Sequence, residues 1–186
     1  MNTLAGAIDC DVHPTLPGLK TLFPYLDEAW KEQFTLRGMH ELVSNNYPPN
    51  APLSLRPDWR PAKGPPAQLP QLRSHLLDRT GMSVAICNCL YGVQLLFSED
   101  MAAAIARAIN EWMAHELLDR ESRLRASIVV PMQNAELAVE EIERCASDKR
   151  FVQVLMLVMG DVPLGRRVWW PIYAAAERHG LPVGIH

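Results

Sequence analysis

Short apolar runs of five or six residues recur along this chain, separated by longer stretches in which apolar residues return every three or four positions. The runs Ser83-Val84-Ala85-Ile86-Cys87, Ala126-Ser127-Ile128-Val129-Val130, Phe151-Val152-Gln153-Val154-Leu155-Met156 and Leu181-Pro182-Val183-Gly184-Ile185-His186 read as strands, and Ala7-Ile8-Asp9-Cys10-Asp11-Val12-His13 as another near the start. Most are β-branched and continuous rather than alternating, the pattern of parallel strands covered by helices. The intervening stretches predict helices around Pro24 to Phe34 and from Gln68 to Thr80, the latter stopping at Gly81. A third runs from Ser98 to Arg120, where a hydroxyl cap and the early acids Glu99 and Asp100 suit a helix start. Asn134 caps a fourth that reaches Ala146, and Pro171 suits the first turn of a fifth that stops at Gly180.

Strand and helix alternate, which leaves two architectures, an open doubly wound sheet and a (β/α)8 barrel. The open sheet usually carries a Gly-rich phosphate loop after its first strand, and here that position holds Asp11-Val12-His13-Pro14-Thr15. The barrel places functional side chains at the C-terminal ends of strands, where His13 and His186 fall. The reading is therefore an α/β TIM-type barrel, incomplete, with about the first five of eight strands. The chain is read as a single partial domain, 1–186, interrupted by a Pro-rich insertion around 47–70. Proline fixes φ and removes backbone donors, so that span is expected to be loop.

Composition changes the picture little. With 186 residues, 48% hydrophobic and 21% charged, the chain is ordinary globular material. A formal charge of -3 without a Lys/Arg stripe argues against nucleic acid or an anionic membrane as a partner. No run of about 18 apolar residues occurs and the N-terminus lacks a secretory pattern, so a cytoplasmic location is expected. The four cysteines show no disulfide-dense spacing and are expected to be reduced, and the Cys87-x-Cys89 pair lacks the second pair that a zinc knuckle needs.

The chemistry concentrates at strand ends. In a regular strand alternate residues share a face, so Asp9, Asp11 and His13 project together, about 6.6 Å apart from one to the next. Asp11 and His13 can thus reach one ion from one strand, and His186 adds a third donor from another. Carboxylate oxygen and imidazole nitrogen suit zinc, manganese or iron, and three ligands leave positions open for water or substrate. The alternative is that the acids bond loop amides and His13 simply ends its strand.

Ile8-Asp9-Cys10-Asp11-Val12-His13, Gly81-Met82-Ser83-Val84-Ala85-Ile86, Ala106-Arg107-Ala108-Ile109-Asn110-Glu111-Trp112 and Leu181-Pro182-Val183-Gly184-Ile185-His186, in that order, resemble the amidohydrolase-related family. The likeness is to its aminocarboxymuconate-semialdehyde decarboxylase-like and aromatic acid decarboxylase members. It implies a distorted (β/α)8 barrel and one divalent metal, zinc first with manganese or iron as alternatives, held by Asp11, His13 and His186. Asp11 stands where many members carry His or Glu. The resemblance also implies a catalytic His ending a sixth strand and a metal-binding Asp ending an eighth, both beyond residue 186, so the general acid or base is not assigned here. A small carboxylated substrate is expected, turned over by hydrolysis or by non-oxidative decarboxylation, in a parent that forms homodimers as family members often do. The 186 residues alone are expected to be inactive. The alternatives are an inactive truncated barrel or a metal-free module that binds a small ligand or itself.

Asn88 and Tyr91 follow the second strand and are candidates for substrate contact, with loop stabilisation as the alternative. Arg56, Trp59 and Arg60 lie in the Pro-rich span, where a lid offering guanidinium to a carboxylate competes with a solvated excursion or subunit contact. His40, His75, His115 and His179 read as structural or solvated. Trp169 and Trp170 read as anchors for the last helix.

Overall fold

The structure, a computed structural model, describes residues 6–42, 56–60, 67–158 and 162–186. The five apolar runs form five strands: β1 (Ile8–Val12), β2 (Val84–Cys87), β3 (Leu124–Val129), β4 (Phe151–Met156) and β5 (Val183–Ile185). All pair in parallel, in the order β1-β2-β3-β4-β5. A doubly wound sheet reverses its strand order at a switch point, and this order never reverses. Right-handed crossovers between successive neighbours then place every connecting helix on one side, which is the arrangement of a barrel wall.

Curvature confirms the distinction. Four inter-strand steps of about 4.8 Å would separate the outer strands of a flat sheet by about 19 Å. Yet His186, one residue past β5, brings its Nε2 to 3.9 Å from Oδ2 of Asp11 in β1. The sheet is a curled half-barrel, with the C-terminal ends of its two outer strands facing each other across the interior.

The helices on the outer face are α1 (Glu28–Leu36), the short segments α2 (Leu69–Gln71) and α3 (Asp78–Thr80), α4 (Glu99–Met113), α5 (Ala135–Cys145) and α6 (Trp170–Arg178). Helix α4 packs on β3 and α5, and α5 on β3 and α6. The predicted caps are in place. Ser98 accepts from the Met101 N–H, and Asn134 from the N–H groups of Glu136 and Leu137 at 2.9 and 3.1 Å. The apolar stripe of α4, including Met101, Ile105, Ile109, Trp112 and Met113, is buried against the sheet. Asn110 on the same helix bonds both backbone groups of Val129 at 2.9 Å, standing in for a strand neighbour at the end of β3.

Three expectations shift. The first helix begins at Glu28, because Asp27 is extended and Pro24 belongs to a preceding 3-10 turn, Leu19–Tyr25. The helices over 69–80 and 99–118 contain π-helical turns, Leu72–Leu77 and Ala114–Leu118, each burying two adjacent leucines, Leu76 with Leu77 and Leu117 with Leu118. Trp169 does anchor its helix, buried with its indole N–H donating to the Pro163 carbonyl, but Trp170 is exposed beneath the Arg167 guanidinium.

Of the Pro-rich span, only residues 56–60 and 67–70 are described. There Arg56 lies over the Trp59 ring and donates twice to Asp58 at 3.0 Å, so its guanidinium is engaged within its own turn. Trp59 in turn lies against His75, with ring centroids 5.6 Å apart. His115 stacks on Tyr25 between Glu111 and Asp119, and His179 pairs with Glu143. Among the described residues no helix is long and apolar enough to cross a membrane.

At the N-terminal ends of β3 and β4 sits a dense ionic network. Glu121, almost wholly buried, accepts from Arg123 and Arg73 at 2.9 Å, and Arg123 also reaches Asp78. The hydrogen bonds from Arg123, joined by those from Arg73, hold the Glu121 carboxyl down at about 2. Next to it, Arg150 forks onto Asp148 and reaches Asp119.

Candidate metal centre

Asp11, His13 and His186 converge at the opposite, C-terminal rim. One donor atom from each lies within 4.8 Å of the others. His13 Nε2 stands 3.4 Å from Asp11 Oδ1, and the two imidazole rings meet edge to face with centroids 4.8 Å apart. The Asp11 side chain is more than half exposed, while those of His13 and His186 are 18% and 32% exposed, so the cluster faces solvent through the carboxylate. A carboxylate oxygen and two imidazole nitrogens on one side, with room left on the other, form a donor set that fits a divalent ion with open positions.

Asp9 does not join them. The β1-β2 register shifts between Asp9 and Val12, and Asp9 Oδ1 accepts from the Asp11 N–H at 3.0 Å. Strict alternation, assumed from the sequence, fails at this irregularity. The local bond turns Asp9 towards the backbone and leaves Asp11 to face the interior.

Asn88, offered from the sequence to substrate, is buried at 4% exposure and engaged at every polar atom. Its Nδ2 donates to Asp11 Oδ1 at 2.9 Å and to the Cys10 carbonyl at 3.1 Å. Its backbone carbonyl accepts from His13 Nδ1 at 3.1 Å, and its N–H donates to the Val12 carbonyl at 2.6 Å. A carbonyl only accepts, so His13 donates through Nδ1, and Nε2 is the nitrogen turned towards Asp11. Asn88 Oδ1 accepts from Ser127 Oγ and from Gln153 Nε2. Neither Ser127 nor Gln153 drew notice in the sequence. Their signal was weak but present, as polar interruptions in otherwise apolar strands.

Tyr91 stands apart from this group. Its hydroxyl is buried beside the Leu42 backbone, and burial, aided by Glu41, pushes its ionisation up to about 12. Cys87 and Cys89 flank Asn88 as buried thiols, each also pushed up to about 12 by desolvation.

A family model described as Amidohydrolase matches residues 8–186. Among curated relatives, a gamma-resorcylate decarboxylase of Polaromonas sp. strain JS666 is 26% identical over 137 residues, which cover 69% of this chain and 42% of that protein. The enzyme of the same name from Rhizobium sp. strain MTP-10005 is 29% identical over 136 residues, with the same shares. The match thus covers less than half the length of these relatives. The solved 2,6-dihydroxybenzoate decarboxylase from Rhizobium matches with a TM-score of 0.65 at 22% identity, over 98% of this chain and 50% of that one. A dihydroxybenzoic acid decarboxylase from Polaromonas sp. JS666, solved with manganese and the inhibitor 2-nitroresorcinol, matches with a TM-score of 0.61 at 20% identity, over 98% and 49%. At these identities the solved structures speak to the fold: five parallel strands that correspond to about half of a TIM barrel.

Proposed function

The chain belongs to the amidohydrolase family, and from that premise we propose that it supplies the first half of the active site of a divalent-metal-dependent carboxy-lyase acting on a small aromatic carboxylate. The observation that carries the reading is the convergence of Asp11, His13 and His186 from opposite edges of the half-barrel. Support for decarboxylation over hydrolysis comes from the relatives, which are named for decarboxylating gamma-resorcylate. Manganese replaces zinc as the favoured ion, since it is the metal bound in the Polaromonas structure.

In this reading Asp11, His13 and His186 hold the ion from one side. A bound ion would supply Lewis acidity towards the substrate. His13 donates through Nδ1 to the Asn88 carbonyl, which fixes the orientation of its ring. Asn88 holds the Asp11 carboxylate in place, which spares the site reorganisation when substrate enters. The chain covers about half of the solved relatives, and the proton delivered to the ring carbon is assigned to the other half of the barrel.

The test is a calorimetric titration. Mn2+ is expected to bind at one per chain, and 2,6-dihydroxybenzoate to bind only once Mn2+ is present. Equal binding of 2,6-dihydroxybenzoate with and without metal would overturn the proposal.

A further inference from the structure

The polar side chains beneath the rim form a directed chain, and its direction follows from counting donors and acceptors. Asp11 Oδ1 and the Cys10 carbonyl are both acceptors, so the Asn88 atom facing them is Nδ2, with both hydrogens committed. Asn88 Oδ1 must then face the other way, towards Ser127 and Gln153. The Ser127 hydroxyl donates to that oxygen, and its own oxygen accepts from Gln153 Nε2 at 2.7 Å. Gln153 thus spends one hydrogen on Asn88 and one on Ser127. Ser127 and Gln153 are register partners on β3 and β4, so they share the interior face, while Asn88 follows Cys87, whose partner Ala126 precedes Ser127.

The last link is a glycine. A Cβ on Gly184 of β5 would stand 2.8 Å from Gln153 Nε2 and 3.0 Å from its Cδ, so no larger residue leaves Gln153 where it is. Gly184 of β5 also lies two residues before His186. Contacts from β3 and β4 therefore converge on the Asn88 amide, which holds the Asp11 carboxylate of β1, and β5 leaves room for Gln153.

We propose that Gln153 and Ser127 are positioning residues that act through Asn88, fixing its side-chain amide so that Asp11 is presented in ligating form, with Gly184 providing the space. This rests on the metal-site reading and deepens it, since neither Gln153 nor Ser127 touches the donor atoms in the described contacts. The alternative is that the chain is interior filling, which stabilises the sheet and leaves the donors indifferent.

A double-mutant cycle separates the two. Mn2+ is titrated into the full chain and into Asn88→Ala, Gln153→Met and their combination, with the unfolding midpoint measured for each and the Asn88 side-chain NH2 resonances recorded without metal. Asn88→Ala is expected to weaken Mn2+ binding about 10- to 100-fold. Gln153→Met, which keeps length and removes both donors, is expected to weaken it about three- to tenfold, the worth of one neutral hydrogen bond. In the Asn88→Ala background Gln153→Met is expected to cost nothing further. The same cost in both backgrounds overturns the proposal. If the unmodified chain takes up no Mn2+, the metal reading fails by itself and the NH2 resonances decide: displaced by Gln153→Met they support the positioning chain, unmoved they overturn it. Should Gln153→Met not fold, Gly184→Ala displaces the same amide from the β5 side and carries the same expectations.

Discussion

The two ends of the half-barrel are both polar and are polar in opposite ways. At the N-terminal ends of the strands, Glu121, Arg123, Arg73, Asp78, Arg150, Asp148 and Asp119 pair charge against charge. At the C-terminal rim a carboxylate and two imidazoles bring their donor atoms within 4.8 Å of one another. A cluster of opposite charges neutralises itself, whereas a carboxylate beside two imidazoles is a donor set that a divalent cation fits. That is how the base of a barrel is read as stability and the top as chemistry, and here the distinction rests on charge.

Removing donors at the rim breaks the comparison most sharply. Asp11→Ala or His13→Ala is expected to lower Mn2+ affinity by about 100-fold or more, because each deletes a first-coordination ligand. For Asp11→Ala the free energy of unfolding without metal should change by only about 1 kcal/mol, since the Asp11 side chain is more than half exposed. Calorimetry and urea unfolding read the two quantities. A large stability loss would mean that the rim, too, is structural.

At the base the expectation inverts. Glu121→Gln leaves two guanidinium groups short of a buried carboxylate and is expected to cost on the order of 3 kcal/mol near neutral pH, with Mn2+ affinity unchanged. Because the folded Glu121 is held at about 2, below its ordinary value of 4.5, its contribution is complete above that ordinary value and fades as pH falls towards 2. Urea midpoints taken from pH 6 down to pH 2.5 should therefore fall less steeply in Glu121→Gln than in the unmodified chain.

Smaller effects refine the contrast. Asn110→Ala leaves both backbone groups of Val129 without their side-chain partner and is expected to cost about 2 kcal/mol by thermal unfolding. Asn134→Ala removes the cap of α5 and should cost about 1 kcal/mol.

What could be read from the sequence was local. Strand β4 was legible to the residue, and the caps at Ser98 and Asn134 announced themselves because the side chain that caps lies within three positions of the amide it serves. The meeting of His186 with Asp11 was legible only through the barrel reading, which alone brings strands one and five across from each other. Asn88 stood out by position while its partners did not, because they lie 39 and 65 residues away and depend on strand register. Gly184 passed as an ordinary strand residue, for nothing in its neighbours reveals that the space it leaves is occupied by Gln153. The π-helical turns were hidden because one extra residue per turn barely disturbs an apolar repeat.

The spacing of thiols around the rim has a practical consequence. Cys87, Cys89 and Cys145 are buried and pushed up in ionisation, whereas Cys10 is exposed and sits beside Asp11. A maleimide dye added to the native chain should therefore attach at one position, giving a fluorophore one residue from the donors. Paramagnetic Mn2+ quenches such a dye at short range, so a single unmodified sequence carries its own optical reporter of occupancy.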